Sequence, residues 1–141
     1  NPGNILENKN LYGVHTSAPE ALAVAMNAST TWMFLEIGAR SSLGEGVLDI
    51  DVNMAEDVLV PAPESESAPE LSDVSLQKDI FEQMAAEPGE EISLKEVSSD
   101  RRLIDQTALG DWLGMDEEMQ KRVCEALTEL VGTRIERSDS V

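Results

Sequence analysis

The run "ALAVAMNASTTWMFLEI", residues 21–37, limits what this chain can fold into more than any other stretch. Drawn as a helix it is apolar almost all round, with Leu22, Met26, Met33 and Ile37 on one side and Val24, Ala28, Trp32 and Leu35 on another. A helix of that kind must be packed on more than one face. Yet Asn27, Ser29, Thr30, Thr31 and Glu36 lie inside the same run, and a polar group taken out of water needs a partner. The start of the helix is well marked. Ser17 or Ala18 can cap it, Pro19 suits a first position whose N–H is not needed, and Glu20 favours the positive end of the dipole.

The flanks of this helix read as strands. "LYGVH", residues 11–15, alternates apolar and polar side chains like a half-buried strand. Beyond Arg40 the segment "SSLGEG" offers a tight exit through Gly44 and Gly46, "VLDIDV" gives a second strand, and "VLVP" a third after "NMAED". Strand, helix, strand and strand outline a small α/β unit over residues 1–60. Residues 61–73, "PAPESESAPELSD", have the Pro, Glu and Ser content of an extended linker.

Residues 74–141 then turn helical, so the expected fold class is α+β, with the strand-helix-strand-strand unit followed by a helical C-terminal segment. Val74, Leu76, Ile80, Phe81 and Met84 suggest a helix broken at Pro88 and Gly89. "ISLKEV" reads equally as strand or turn. Asp100 can cap a helix striped by Ile104, Ala108 and Trp112 and stopped at Gly114. Asp116 can cap another, with Glu117 and Glu118 in its first turn and Arg134 and Arg137 in its last. Its apolar stripe would be Met119, Val123, Ala126, Leu127, Leu130 and Val131, and the two helices would close as an αα-hairpin.

The 141 residues are 41% hydrophobic, enough for a core, but only 4% aromatic. That core rests on Leu, Ile, Val, Met and Ala, which favours helices over an all-β sandwich. The net charge is -18: residues 1–63 hold two Lys/Arg against eight Asp/Glu, and residues 64–141 eight against twenty. Binding to nucleic acid draws largely on cations that neutralise phosphates, so the chain by itself is not expected to hold DNA tightly. Cys124 is the single cysteine, which excludes an internal disulfide and a thiolate metal cluster and fits a reducing, cytoplasmic setting. No apolar run approaches the roughly 18 residues of a spanning helix, so no membrane partner is expected. No basic-then-apolar leader opens the chain. It starts at "NPGN" without a methionine, as a processed protein or a piece of a larger one would.

Catalytic groups are scarce. His15 is the sole histidine and has no adjacent nucleophile, so no triad is credible. Asp49, Asp51, Glu56 and Asp57 lack the spacing of a Ca²⁺ loop, and no metal site is expected. Gly44, Glu45 and Gly46 precede a strand rather than a helix, the wrong polarity for a phosphate-binding glycine loop. The terminal helix pair is a poor DNA reader, because its second helix begins "DEEM" and would push acids at phosphates. Arg101 and Arg102 fall in the first turn of a helix, where positive charge opposes the dipole and calls for compensation. An ion pair with an acid such as Asp105 would supply it, and so would a phosphate or a partner domain.

Two stretches carry a family resemblance. "LYGV", "ALAVAMNASTTWMFLEIGARSSLGEGVLDIDV" and "DVLVPAP" form the first, with Asn27, Ser29 and Thr30 in an Asn-Ser-Thr pattern interrupted by Ala28, and Arg40 one residue beyond its expected place after Gly38. The second is "DRRLIDQTALGDWLGMDEEMQKRVCEALTELVGTRIERSDSV", with Asp100, Arg101, Arg102, Asp105, Leu113, Gly114, Ser140 and Val141 in register. In this order they resemble the region near the C-terminus of large bacterial adenine-specific DNA methyltransferases of type II restriction-modification and related phage-defence systems. The catalytic Asn/Asp-Pro-Pro-Tyr/Phe motif of that family is absent, as is its glycine-rich turn for S-adenosylmethionine.

The resemblance therefore implies a non-catalytic target-recognition or accessory fragment. S-adenosylmethionine would belong to the parent enzyme, DNA would be met through that intact enzyme, and the partner would be the catalytic domain of the same polypeptide. Candidate DNA contacts are Arg40, Ser41 and Ser42 at the helix end and Asn27, Ser29, Thr30 and Thr31 along it; Arg101 and Arg102 are candidates for a phosphate or the partner domain. The competing expectation, from charge alone, is an acidic protein-interaction or DNA-mimic module.

Overall fold

The computed structural model describes Val14, residues 16–39, Leu48, residues 50–62 and residues 68–139. Within these the regular elements are α1 (Pro19–Asn27), α2 (Ser29–Gly38), α3 (Val52–Asp57), α4 (Ile80–Met84), α5 (Ser99–Asp105), a π-helical segment (Gln106–Trp112) continuing α5, and α6 (Glu117–Asp139). Among the described residues there is no strand, and none of the helices is long and apolar enough to cross a membrane.

The α+β expectation is thereby corrected. Of the first expected strand, residues 11–13 and His15 lie outside the described residues, and Val14 is not in a strand. "VLDIDV" ends in a helix cap: Asp51 accepts a hydrogen bond from Met54 N at 2.9 Å and starts α3 at Val52. A capping carboxylate satisfies an orphan N–H on the spot, whereas alternation of apolar residues stabilises a strand only when another strand pairs with it. "VLVP", residues 58–61, forms no strand among the described residues.

The long apolar run does not make one helix. Ala28 takes an extended backbone conformation, ψ 143°, which ends α1 and begins α2 at Ser29. Around that corner the core gathers in two clusters. One holds Ile80, Met84, Ala86, Ile92, Val97, Cys124, Leu127 and Val131 from α4, the loop after it and α6, with Trp32 and Met33 of α2 packed on it. The other holds Ala21, Val24, Ala25 and Ala28 against Ile104, Ala108 and Trp112. Ala68, Leu71, Val74 and Leu76 pack on this second cluster. Residues 74–79 are not helical, and α4 starts only where Asp79 caps it by accepting from Glu82 N at 2.8 Å.

The chain from α5 to α6 also differs from a plain hairpin. Ser98, not Asp100, is the N-cap of α5, and Asp100 instead accepts a hydrogen bond from Ser75 N at 3.0 Å. The π-helical segment that follows buries Thr107, Ala108, Leu109 and Trp112. Gly114, at φ 66°, stops it, and Asp116 caps α6 by accepting from Met119 N at 2.8 Å. Packed mainly on α2 rather than on the helix before it, α6 buries Gln120, Cys124, Leu127, Thr128 and Val131 and leaves Met119 half exposed. At Gly132 a Cβ would come within 2.3 Å of Pro88 Cγ, so the bare glycine lets the proline ring seat on α6.

Candidate functional site

The polar residues of the long run converge with α5 at the Ala28 corner. Arg101, on α5, is fully buried. Its Nε donates to Gln83 Oε1 at 3.0 Å, its Nη1 donates to the carbonyl of Asn27, and its guanidinium lies 4.6 Å from the centroid of the Trp32 ring. One turn further along α5, Asp105 accepts from Ser29 N at 2.8 Å and from Ser29 Oγ at 2.6 Å, with Arg101 Nη1 3.8 Å away.

Breaking a helix strands carbonyls at one end and N–H groups at the other. Here the cation sits on the last carbonyl of α1 and the carboxylate on the first N–H of α2, each at the dipole end that attracts it. Ala28 offers α2 no capping side chain, so the cap is supplied by a residue 76 positions away. Gln83, also buried, ties the arrangement to the segment before α4 by donating from Nε2 to Lys78 O at 2.6 Å.

Burial lowers the pKa of Arg101, and the neighbouring Asp105 carboxylate works against that effect. Burial likewise raises the pKa of Asp105, opposed by Arg101 and by the two Ser29 hydrogen bonds. Cys124, whose thiol reaches Asp105 Oδ2 at 4.0 Å, is pushed up to about 12 by burial and by that carboxylate. A thiol so protonated at neutral pH is a packing group and not a nucleophile. Two buried atoms, Thr30 Oγ1 and Arg101 Nη2, have no hydrogen-bond partner among the described residues.

Of the residues singled out in the sequence, Arg40, Ser41 and Ser42 lie outside the described residues. Asn27 is half-buried, with Nδ2 donating to Ala23 O at 2.9 Å. Ser29, Thr30 and Thr31 are buried, and Thr31 Oγ1 donates to Ala25 O at 2.6 Å. Arg101 joins Asn27 and Ser29 at the corner, whereas Arg102 is exposed on the wall of a cavity of about 620 Å³ between the loop after α4 and α6. That wall mixes Lys95, Arg102 and Lys121 with Glu91, Asp105, Glu117 and Glu118, so charges of both signs line it. Gln83 carries no mark in the sequence, Trp32 reads there only as part of an apolar helix face, and Asp105 only as an ion-pair partner for the arginines rather than the cap of another helix. The available signal was "NAST" itself, since Asn, Ser and Thr compete with helical backbone and favour helix ends.

A second depression, of about 360 Å³, separates the C-terminal end of α2 from α3 and is walled by Phe34, Ile37, Met54, Asp57, Val58 and Leu59. Among the described residues no group of His, Cys, Asp and Glu is placed to hold a metal ion. At the corner the Ser29 hydroxyl and the Asp105 carboxylate are buried against each other, and their bond ties α2 to α5. No family model, curated protein or solved structure matches this chain.

Proposed function

We propose that the chain is a non-catalytic accessory module of an adenine-specific DNA methyltransferase, a part of its target-recognition region that docks beside the catalytic domain. The observation that supports this reading is the meeting of its two family-like stretches. Asn27 and Ser29 from the first are held by Arg101 and Asp105 from the second, although Ser29 and Asp105 are 76 residues apart. On this reading the Asn-Ser-Thr and Asp-Arg-Arg-x-x-Asp patterns are two halves of one structural joint, and their polarity serves the joint rather than DNA. Contacts to DNA or to the catalytic domain then fall to Arg40, Ser41, Ser42 and Arg102. S-adenosylmethionine and the adenine-binding motif belong to the parent.

The test is the reading frame that carries this sequence and the protein it encodes. Transfer of a labelled methyl group from S-adenosylmethionine to adenine in duplex DNA is expected, from a frame that also encodes an Asn/Asp-Pro-Pro-Tyr/Phe motif. A frame with neither that motif nor a cofactor-binding turn, and a product without transferase activity, would overturn the assignment.

A further inference from the structure

We infer that the depression between α2 and α3 is a docking groove for a cationic amphipathic helix of a partner protein. Three large apolar side chains on its wall stand open to solvent: Phe34 at 37%, Ile37 at 63% and Leu59 at 64%. Met54 and Val58 line it with them, and the volume of about 360 Å³ takes a few apolar side chains. A contiguous apolar surface of this kind marks an interaction site more often than an isolated exposed leucine does.

Charge identifies the occupant. By sequence, residues 16–62 carry one cation, Arg40, against seven acids: Glu20, Glu36, Glu45, Asp49, Asp51, Glu56 and Asp57. Glu36 is taken by Arg134, through bonds of 2.8 and 2.9 Å. Asp57 is on the groove wall with Glu56 beside it, and neither carboxylate has a salt bridge among the described residues. A second copy of this chain is a poor occupant, since a net charge of -18 on each would bring like charges together at the groove. The described residues offer no sheet edge to which a strand could be added. A helix presenting Leu or Ile at three- and four-residue spacing would seat its apolar stripe between α2 and α3, with flanking Lys or Arg toward Glu56 and Asp57. This assignment does not depend on the methyltransferase reading.

The probe is a fluorescent Leu/Lys peptide of roughly 14 residues patterned as an amphipathic helix, beside a peptide of identical composition whose order destroys the stripe. Titration at physiological ionic strength should show the patterned peptide binding more tightly, by about tenfold or more, with amide shifts centred on residues 34–39 and 54–60. The double variant Ile37→Ser/Leu59→Ser should lose about tenfold in affinity while its circular dichroism stays unchanged, because both side chains are already exposed. Glu56→Gln/Asp57→Asn should weaken binding and flatten its salt dependence. Equal binding of the two peptides, unchanged affinity in the serine double variant, or shifts centred elsewhere would each overturn the assignment. Sedimentation showing that Ile37 and Leu59 mediate self-association would do the same.

Discussion

The first turn of α2 is polar and buried, while its last turn is apolar and open to solvent. Ser29, Thr30 and Thr31 are buried, Ser29 against Asp105 of α5, whereas Phe34 and Ile37 are exposed. Hydrophobicity alone would reverse the two. The difference teaches that a helix start carries an obligation of its own: its free N–H groups must be met, and a buried carboxylate meets them if a cation is near. At the other end of α2 the last carbonyls face the open side of the chain, where water can meet them, and Phe34 and Ile37 stand exposed beside them.

The largest way to break this contrast is Asp105→Ala. It removes both bonds to Ser29 and leaves Arg101 buried without its anion, so a loss of about 3–5 kcal/mol in urea unfolding is expected. The double variant Arg101→Met/Asp105→Leu should cost less than the two single variants added together; strict additivity would show that the ions are not coupled. Ser29→Ala, which deletes one hydroxyl bond to a carboxylate, should cost about 1.5–3 kcal/mol by the same measurement.

A smaller effect should appear with pH. Because burial raises the pKa of Asp105 in the folded state above its ordinary value of 3.8, the folded chain holds that proton more tightly than the unfolded chain. The contribution of this group is therefore fully present below pH 3.8 and declines as pH rises through the folded-state value. The stability of the protein relative to its Asp105→Asn variant should fall over that window; a difference that rises instead would reverse the assigned direction. Smallest of all, Ile37→Ser at the open end should change stability by no more than about 0.5 kcal/mol, and a larger loss would show that the side chain is already packed within the chain.

What could be read from the sequence follows from how locally each feature is determined. The start of α1 at Pro19, the stop at Gly114 and the cap at Asp116 depend on residues within a turn of one another, and they are found where local chemistry places them. In α6 the periodicity showed a helix but set its buried stripe slightly wrong. Gln120 and Thr128 go inside because α2 and the π segment meet that face, and Met119 is left out. The strand expectations at "VLDIDV" and "VLVP" rested on alternation, which is silent about whether a partner strand exists. The corner at Ala28 was hidden for the opposite reason. Ala21 to Ile37 scores as one helix, and only Asp105 and Arg101, far along the chain, make an interruption there worth its hydrogen bonds.

That distance has a consequence for the order of events during synthesis. Residues 19–38 leave the ribosome long before Ser98 caps α5, and until then neither the freed carbonyl of Asn27 nor the N–H of Ser29 has its tertiary partner. The angle between α1 and α2 is therefore set late, by a long-range closure rather than by nascent local structure.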